Sequence, residues 1–138
     1  MRLHRDSKVE LLKKVPLFAR CSTKQLLQIA AIADEVRLAE GKELTLQGDR
    51  GREFFILLEG TVDVRKNNRK VDTMGPGDFF GEIALVTHGP RTATVTATSP
   101  LDVLVITGGD FRTLLRKSPE IQAKVLEALA ERLVPDSL

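Results

Sequence analysis

The feature that most restricts this chain is the stretch from Asp34 to Ile106, where short β-rich runs are separated by Gly, Asn and Asp. The runs read "EVRLAE", "ELTLQG", "EFFILLEG", "TVDVRK", "RKVDTM", "TATVTAT" and "LDVLVI". Side chains alternate between the two faces of a strand. In "TVDVRK" this points Val62 and Val64 one way and Asp63 and Arg65 the other, and in "TATVTAT" Ala93, Val95 and Ala97 alternate with threonines. Seven or eight such strands in sequence suggest a closed or double-sheet β unit.

Helical patterns flank that unit. "KVELLKKVPLF" is amphipathic and should end near Pro16, because proline disfavours helix in the residue before it. "CSTKQLLQIAAIAD" carries a capping box, Ser22 with Gln25, ahead of Leu26, Leu27, Ile29, Ala30 and Ile32. After the strands, Thr107 can cap a helix holding Asp110 in its first turn and Phe111, Leu114 and Leu115 on one side. Ser118, Pro119 and Glu120 then open a last helix striped by Ile121, Val125, Leu129 and Leu133. The expected class is α+β. It is an antiparallel β jelly-roll barrel with N-terminal helices, a short phosphate-binding helix and two C-terminal helices. The expectation is a single domain over 1–138, divided into 1–33, 34–106 and 107–138.

Composition closes off several functions. A chain of 138 residues can bury roughly two-thirds of its unfolded surface. Its 29% charged and 42% apolar residues are an ordinary globular balance. Lys and Arg number 21 against 19 acids, so a formal charge of +2 gives no field for gripping nucleic acid, although a small anion remains open. The lone Cys21 cannot close an intramolecular disulfide, and "MRLHRDSKVE" lacks the apolar core of a secretory signal, so a cytoplasmic protein is expected. Runs such as "FFILL" fall short of the ~18 residues that span a bilayer, so no direct membrane contact is expected. His4 and His88 lack metal-site spacing; no metal and no cofactor are expected, which sets aside the cupin enzymes among small barrels.

Chemistry concentrates in "FFGEIALVTHGPRTATV", Phe79 to Val95. "GEIAL" is where helix formers outnumber strand formers within the β region, and it reads as one helical turn. Gly81 lets the backbone approach a ligand, and the first N–H groups of a helix have no partners of their own, so an anion fits. Arg91 offers a planar donor fork, extended by the N–H groups of Thr92 and Ala93. Glu82 would repel phosphate but can accept a hydrogen bond from a sugar hydroxyl. A nucleotide whose phosphate lies close to its sugar, a cyclic nucleotide, satisfies all three. ATP would ask for GxxxxGK[ST] and acidic magnesium ligands, which are missing. Taken alone, "GEIAL" is equally an ordinary buried turn with a solvated Glu82; the combination with "RTA" carries the argument.

The combination of "FGEIAL" with "PRTA" resembles the phosphate-binding cassette of the cyclic nucleotide-binding domains. These occur in regulatory subunits of cyclic AMP-dependent protein kinase, catabolite-activator-type regulators and cyclic-nucleotide-gated channels. "EFFILLEGTVDV" and "GPGDFFGE" extend the likeness over almost the whole chain. The resemblance implies that Gly81, Glu82, Ile83, Ala84, Arg91, Thr92 and Ala93 contact phosphate and ribose, and that Val64 lines the base pocket. It also implies a lid on the last helix, for which Arg132 is the candidate, flanked by Leu129 and Leu133; a lone arginine on a helix face is otherwise usually solvated. Thr92 could meet phosphate or a guanine amino group, so cyclic AMP, favoured, and cyclic GMP both stand. One position departs from the family. Where an acid that orients the arginine often follows glycine, this chain has Gly51-Arg52, so either Asp49 substitutes or Arg91 is less constrained.

The expected function is a non-catalytic sensor whose ligand moves Leu85, Phe111 and the last helix, with an effector protein or fused effector domain as partner. The alternative is a ligand-free interaction or oligomerisation module on the same fold. A DNA-binding regulator is disfavoured, because no helix-turn-helix follows the last helix before Leu138.

Overall fold

The computed structural model describes the backbone of residues 5–82 and 89–133 and the side chains of residues 8–82 and 89–131. Two helices lead, α1 (Arg5–Lys13) and α2 (Thr23–Ile32), joined through a 3-10 turn at Pro16–Phe18. Proline occupies the start of that turn, and α1 has already stopped at Lys13. Ser22 caps α2 as its sequence predicts. The Ser22 hydroxyl accepts from the Gln25 N–H at 3.1 Å, and the Gln25 side chain accepts from the Ser22 N–H at 2.8 Å.

Eight strands follow among the described residues: β1 (Asp34–Leu38), β2 (Glu43–Thr45), β3 (Glu53–Glu59), β4 (Val62–Lys66), β5 (Arg69–Met74), β6 (Phe79–Phe80), β7 (Thr94–Ala97) and β8 (Leu101–Thr107). They form two antiparallel four-stranded sheets, ordered β1-β8-β3-β6 and β2-β7-β4-β5, which is a jelly roll. The two-residue β6 was not among the runs visible in the sequence; it pairs Phe80 with Phe55 and Phe79 with Ile56. Asn67 and Asn68, at φ 53° and 64°, make the left-handed two-residue turn between β4 and β5 that a twisted hairpin requires. Helices α3 (Gly108–Lys117) and α4 (Pro119–Leu133) close the described chain. Thr107 Oγ1 accepts from the Asp110 N–H at 3.3 Å, and Ser118 Oγ accepts from the Ile121 N–H at 3.4 Å, so both caps stand where the sequence puts them.

β3 explains the layering. It is buried on both faces from Phe54 to Leu57, as expected of a strand covered on either side. Phe54 and Ile56 join Leu104, Ile106, Phe111, Ile121 and the helical residues Leu12, Phe18 and Ile29 in one apolar cluster. Phe55 and Leu57 turn the other way, into the roll, with Val62, Val64, Phe80, Val95 and Val103. Each large side chain buried this way contributes about 1.5–3 kcal/mol of transfer free energy. Val62 and Val64 face inward and Asp63 and Arg65 do not, as the alternation predicts. The edge strand β5 is exposed at its first five positions, where Arg69 and Lys70 discourage further strand pairing.

Candidate functional site

The site begins where β3, β6 and the segment before β7 meet. Gly81 follows β6 directly and holds φ at 101°, a left-handed value. A Cβ there would stand 2.7 Å from the Glu53 carbonyl oxygen and 2.9 Å from Arg91 Nη1, so the position has room for hydrogen only. The sequence marks this glycine as a place of close approach. Before any ligand arrives, the group approached is the arginine itself.

Arg91 is anchored at both ends. Its N–H donates to the Asp49 carbonyl at 2.6 Å, its carbonyl accepts from the Gly48 N–H at 2.9 Å, and Pro90 forms an antiparallel bridge with Arg50. Its guanidinium donates from Nη1 to the Gly81 carbonyl at 3.2 Å and from Nη2 to the Glu53 carbonyl at 2.8 Å. The charged carbon lies 5.8 Å from the centroid of the Phe55 ring. Asp49 therefore serves Arg91 through its main chain, and two main-chain carbonyls orient the guanidinium. Arg91 is thus oriented by main-chain carbonyls at Gly81 and Glu53.

A cation and acids share this buried corner. Arg91 is 7% exposed and Glu82 is fully buried. Burial pushes the Arg91 guanidinium below its ordinary value, while Glu53 and then Glu82 pull it back up. A guanidinium has five N–H donors, and two are committed to carbonyls.

The structure brings together Gly81, Glu82 and Arg91. Glu82 is helical; Ile83, Ala84, Leu85 and His88 lie outside the described residues. Thr92 is exposed and Ala93 half-buried, and the Ala93 carbonyl accepts from Thr45 Oγ1 at 3.0 Å. Val64 is buried in the interior cluster that includes Phe55, the ring under Arg91, and pairs with Val95 across β4 and β7. Leu129 is half-buried, while the side chains of Arg132 and Leu133 lie outside the described residues.

Sequence reasoning missed several supports: Glu53 as acceptor, Phe55 as platform, Thr45, and Gln47. Gln47 clamps the β4–β5 turn by giving and taking hydrogen bonds with Asn67 at 3.0 and 2.8 Å, while its N–H donates to Thr94 Oγ1. Most of these act through main-chain atoms or lone polar side chains, which leave no residue pattern to find.

Elsewhere, a groove of about 380 Å³ lies between the 3-10 turn and α4, lined by residues that include Leu17, Arg20, Cys21, Pro119, Glu120 and Lys124. Burial, and then Glu120, push the Cys21 thiol up and keep it protonated, which does not suit a nucleophile. Among the described residues, no group of three His, Cys, Asp or Glu side chains could hold a metal ion, and no helix is long and apolar enough to cross a membrane.

Comparison with known proteins agrees with this geometry. Residues 35–118, more than half of the chain, match the family described as the cyclic nucleotide-binding domain. The chain belongs to that family. It is similar to a cyclic nucleotide-gated potassium channel of Rhizobium etli, 32% identical over 123 residues, covering 89% of this chain and 34% of the channel. It is also similar to a cAMP-dependent protein kinase regulatory subunit of Mycosarcoma maydis, 38% identical over 97 residues, covering 67% of this chain and 18% of the subunit. Among solved structures it resembles the regulatory domain of Toxoplasma gondii PKA crystallised with cAMP. The TM-score is 0.84 at 24% identity, covering 92% of this chain and 50% of that one. That likeness establishes the α+β jelly-roll fold. The chain thus spans about a third or less of the curated relatives' length.

Proposed function

We propose that this domain binds a cyclic nucleotide, cyclic AMP ahead of cyclic GMP, and passes the event on as movement of its C-terminal helices without catalysing a reaction. The observation that carries the reading is the buried Arg91 guanidinium, held by the Gly81 and Glu53 carbonyls among the described residues, with a buried carboxylate, Glu82, next to Gly81. Arg91 takes the phosphate, with the N–H groups of Thr92, Ala93 and the turn of Glu82, Ile83 and Ala84 completing the cradle. Glu82 takes the ribose hydroxyl, Val64 lines the base, and Arg132 covers it. The similarity to a cAMP-dependent kinase regulatory subunit supports cyclic AMP as the favoured ligand. The output passes to an effector, fused or separate, as the channel and kinase-subunit relatives suggest.

The test is a thermal shift with cyclic AMP, cyclic GMP and AMP, followed by calorimetry. Ligand at 100 times its dissociation constant should add about 2.7 kcal/mol of stability. Arg91→Ala should lose about 2–5 kcal/mol of binding, roughly 30- to several-thousand-fold. Unchanged affinity in that variant would remove the phosphate role, and no shift with either cyclic nucleotide would leave the fold as an interaction module.

A further inference from the structure

The charge of this chain is not spread evenly. The ten residues from Asp63 to Asp72 hold four of its 21 basic residues and two of its 19 acids, so the whole formal excess of +2 sits in the β4–β5 hairpin. Arg65 stands opposite Lys70, and Lys66 opposite Arg69, an arrangement of like charges that strains a strand pair. Asp63 relieves the first pair, its two oxygens lying 3.3 Å from Lys70 Nζ and 3.8 Å from Arg65 Nη2. Lys66 and Arg69 flank the turn and have no acidic partner among the described residues, and Arg65, Arg69 and Lys70 are exposed. The tip is nevertheless fastened. Gln47 Nε2 donates to Asn67 Oδ1 at 3.0 Å, Gln47 Oε1 accepts from the Asn67 N–H at 2.8 Å, and the Gln47 N–H donates to Thr94 Oγ1 at 3.0 Å. Leu46, beside Gln47, is 44% exposed and Val71, beside Lys70, is 53% exposed; they are two of the three large apolar side chains left open among the described residues.

We propose that the tip of this hairpin, with Leu46, is a docking surface for a short acidic segment of a partner protein, one that carries apolar residues among its carboxylates. The proposal does not rest on the nucleotide reading of Arg91. Like charges held together gain most from an anion placed between them, which turns their repulsion into charge-assisted hydrogen bonds, from planar forks at Arg65 and Arg69 and from compact ammonium groups at Lys66 and Lys70. The four cations stand on two strands about 5 Å apart, inside one Debye length of ~10 Å at 0.1 M salt, so they act on a partner as a unit. Asp63 and Asp72 border them on the side away from the turn, and the rest of the chain is electrically balanced. A wide polyanion, such as a nucleic-acid duplex or an anionic bilayer, would spread over those acids and a neutral surface and gain little from them. A segment a few residues long meets the cations alone. Gln47 holds the tip in one geometry before any partner arrives, which lowers the ordering cost of binding, and Leu46 and Val71 offer apolar contact beside the charges.

Fluorescence anisotropy on the whole chain tests this with a labelled peptide, Glu-Glu-Leu-Glu-Glu-Leu, and its counterpart with glutamine in place of every glutamate. The native chain should bind the acidic peptide and not the glutamine one, with affinity falling severalfold between about 50 and 200 mM salt. Lys66→Glu combined with Arg69→Glu should weaken binding by at least about tenfold. Lys66→Gln combined with Arg69→Gln should do the same more weakly and serves if the reversed variant fails to fold. Lys24→Glu combined with Lys117→Glu makes the same change in net charge at exposed positions on the helices and should shift affinity by less than about twofold. Failure of the native chain to bind the acidic peptide overturns the proposal. An equal loss in the helix variant also overturns it, because the effect would then be one of net charge. Phosphatidylserine vesicles and a DNA duplex are titrated alongside; if either binds more tightly than the peptide, with the same sensitivity to reversal at Lys66 and Arg69, the partner is of another class and the proposal falls.

Discussion

β3 separates two interiors that are under different demands. On its helix-facing side, Phe54 and Ile56 sit among apolar side chains drawn from helices and strands alike, and this layer holds the helices to the roll. On its inner side, Phe55 and Leu57 line a smaller apolar cluster that ends at the guanidinium of Arg91. The first interior is filled to maximise burial. The second gives up part of its mouth to a buried cation and a buried acid, which cost desolvation. Stability and recognition are thus divided between the two faces of one strand, and substitutions should separate them.

The largest effect should come from Ile29→Ala in α2, a fully buried side chain of the helix-facing layer, with a loss of about 2–5 kcal/mol in chemical denaturation. Nucleotide affinity measured where the variant is folded should change little. A loss of affinity as deep as that of Arg91→Ala would show that the two interiors are one. Gly81→Ala strikes the other side. Its methyl must displace Arg91 or the Glu53 carbonyl, and the left-handed backbone adds strain. An overpacking cost of about 1–3 kcal/mol corresponds to a loss of roughly 5- to 150-fold in affinity by calorimetry, with a smaller shift in denaturation midpoint than Ile29→Ala. Retained affinity would mean that the approach of Gly81 to Arg91 does not matter for binding.

The smallest effect lies at the rim of the helix-facing layer, where Asp102 on β8 shares a face with Leu104 and stands opposite Arg37 on β1. Burial, followed by Glu35, pushes the Asp102 carboxyl up, with Arg37 pulling the other way. A folded-state value above the unfolded one near ~3.9 means that the folded chain holds its proton longer. Its contribution to stability is therefore fully present below the unfolded value and is lost as pH rises towards the folded one. Asp102→Asn should give a small rise in Tm at neutral pH and a flatter stability profile above about pH 4, read by thermal melts across pH. A drop in neutral Tm would mean that the carboxylate is better paired than its burial implies.

The contrast also explains what was legible. The Ser22, Thr107 and Ser118 caps and the alternation of Val62 and Val64 are local rules, with cause and effect a few residues apart. Gly81, Glu82 and Arg91 drew notice because "FGEIAL" followed by "PRTA" resembles a family's cassette, and the fold sets Gly81 against Arg91. The guanidinium's actual partners did not. Any residue has a carbonyl, so nothing distinguishes Glu53 or Gly81 as acceptors until the sheet order sets β3 beside β6. The same holds for β6, whose two residues are strand only by virtue of β3. At Asp49 the sequence left two alternatives, substitution for the missing acid or a less constrained Arg91, and the contact found is a main-chain one: the Asp49 carbonyl accepts from the Arg91 N–H.

Lys8 sets a boundary that the family match, starting at residue 35, does not. Its ammonium is buried and donates to the carbonyls of Ala33 at 2.6 Å and Ala30 at 3.4 Å, capping the end of α2. Trimming the polypeptide to the matched stretch that starts at residue 35 would discard both these carbonyls and the cation that quenches them, together with Val9, Leu12 and Ile29. It would also bare the outer flank of β3 to water. A fragment meant to keep this helix-facing layer closed should therefore start no later than α1.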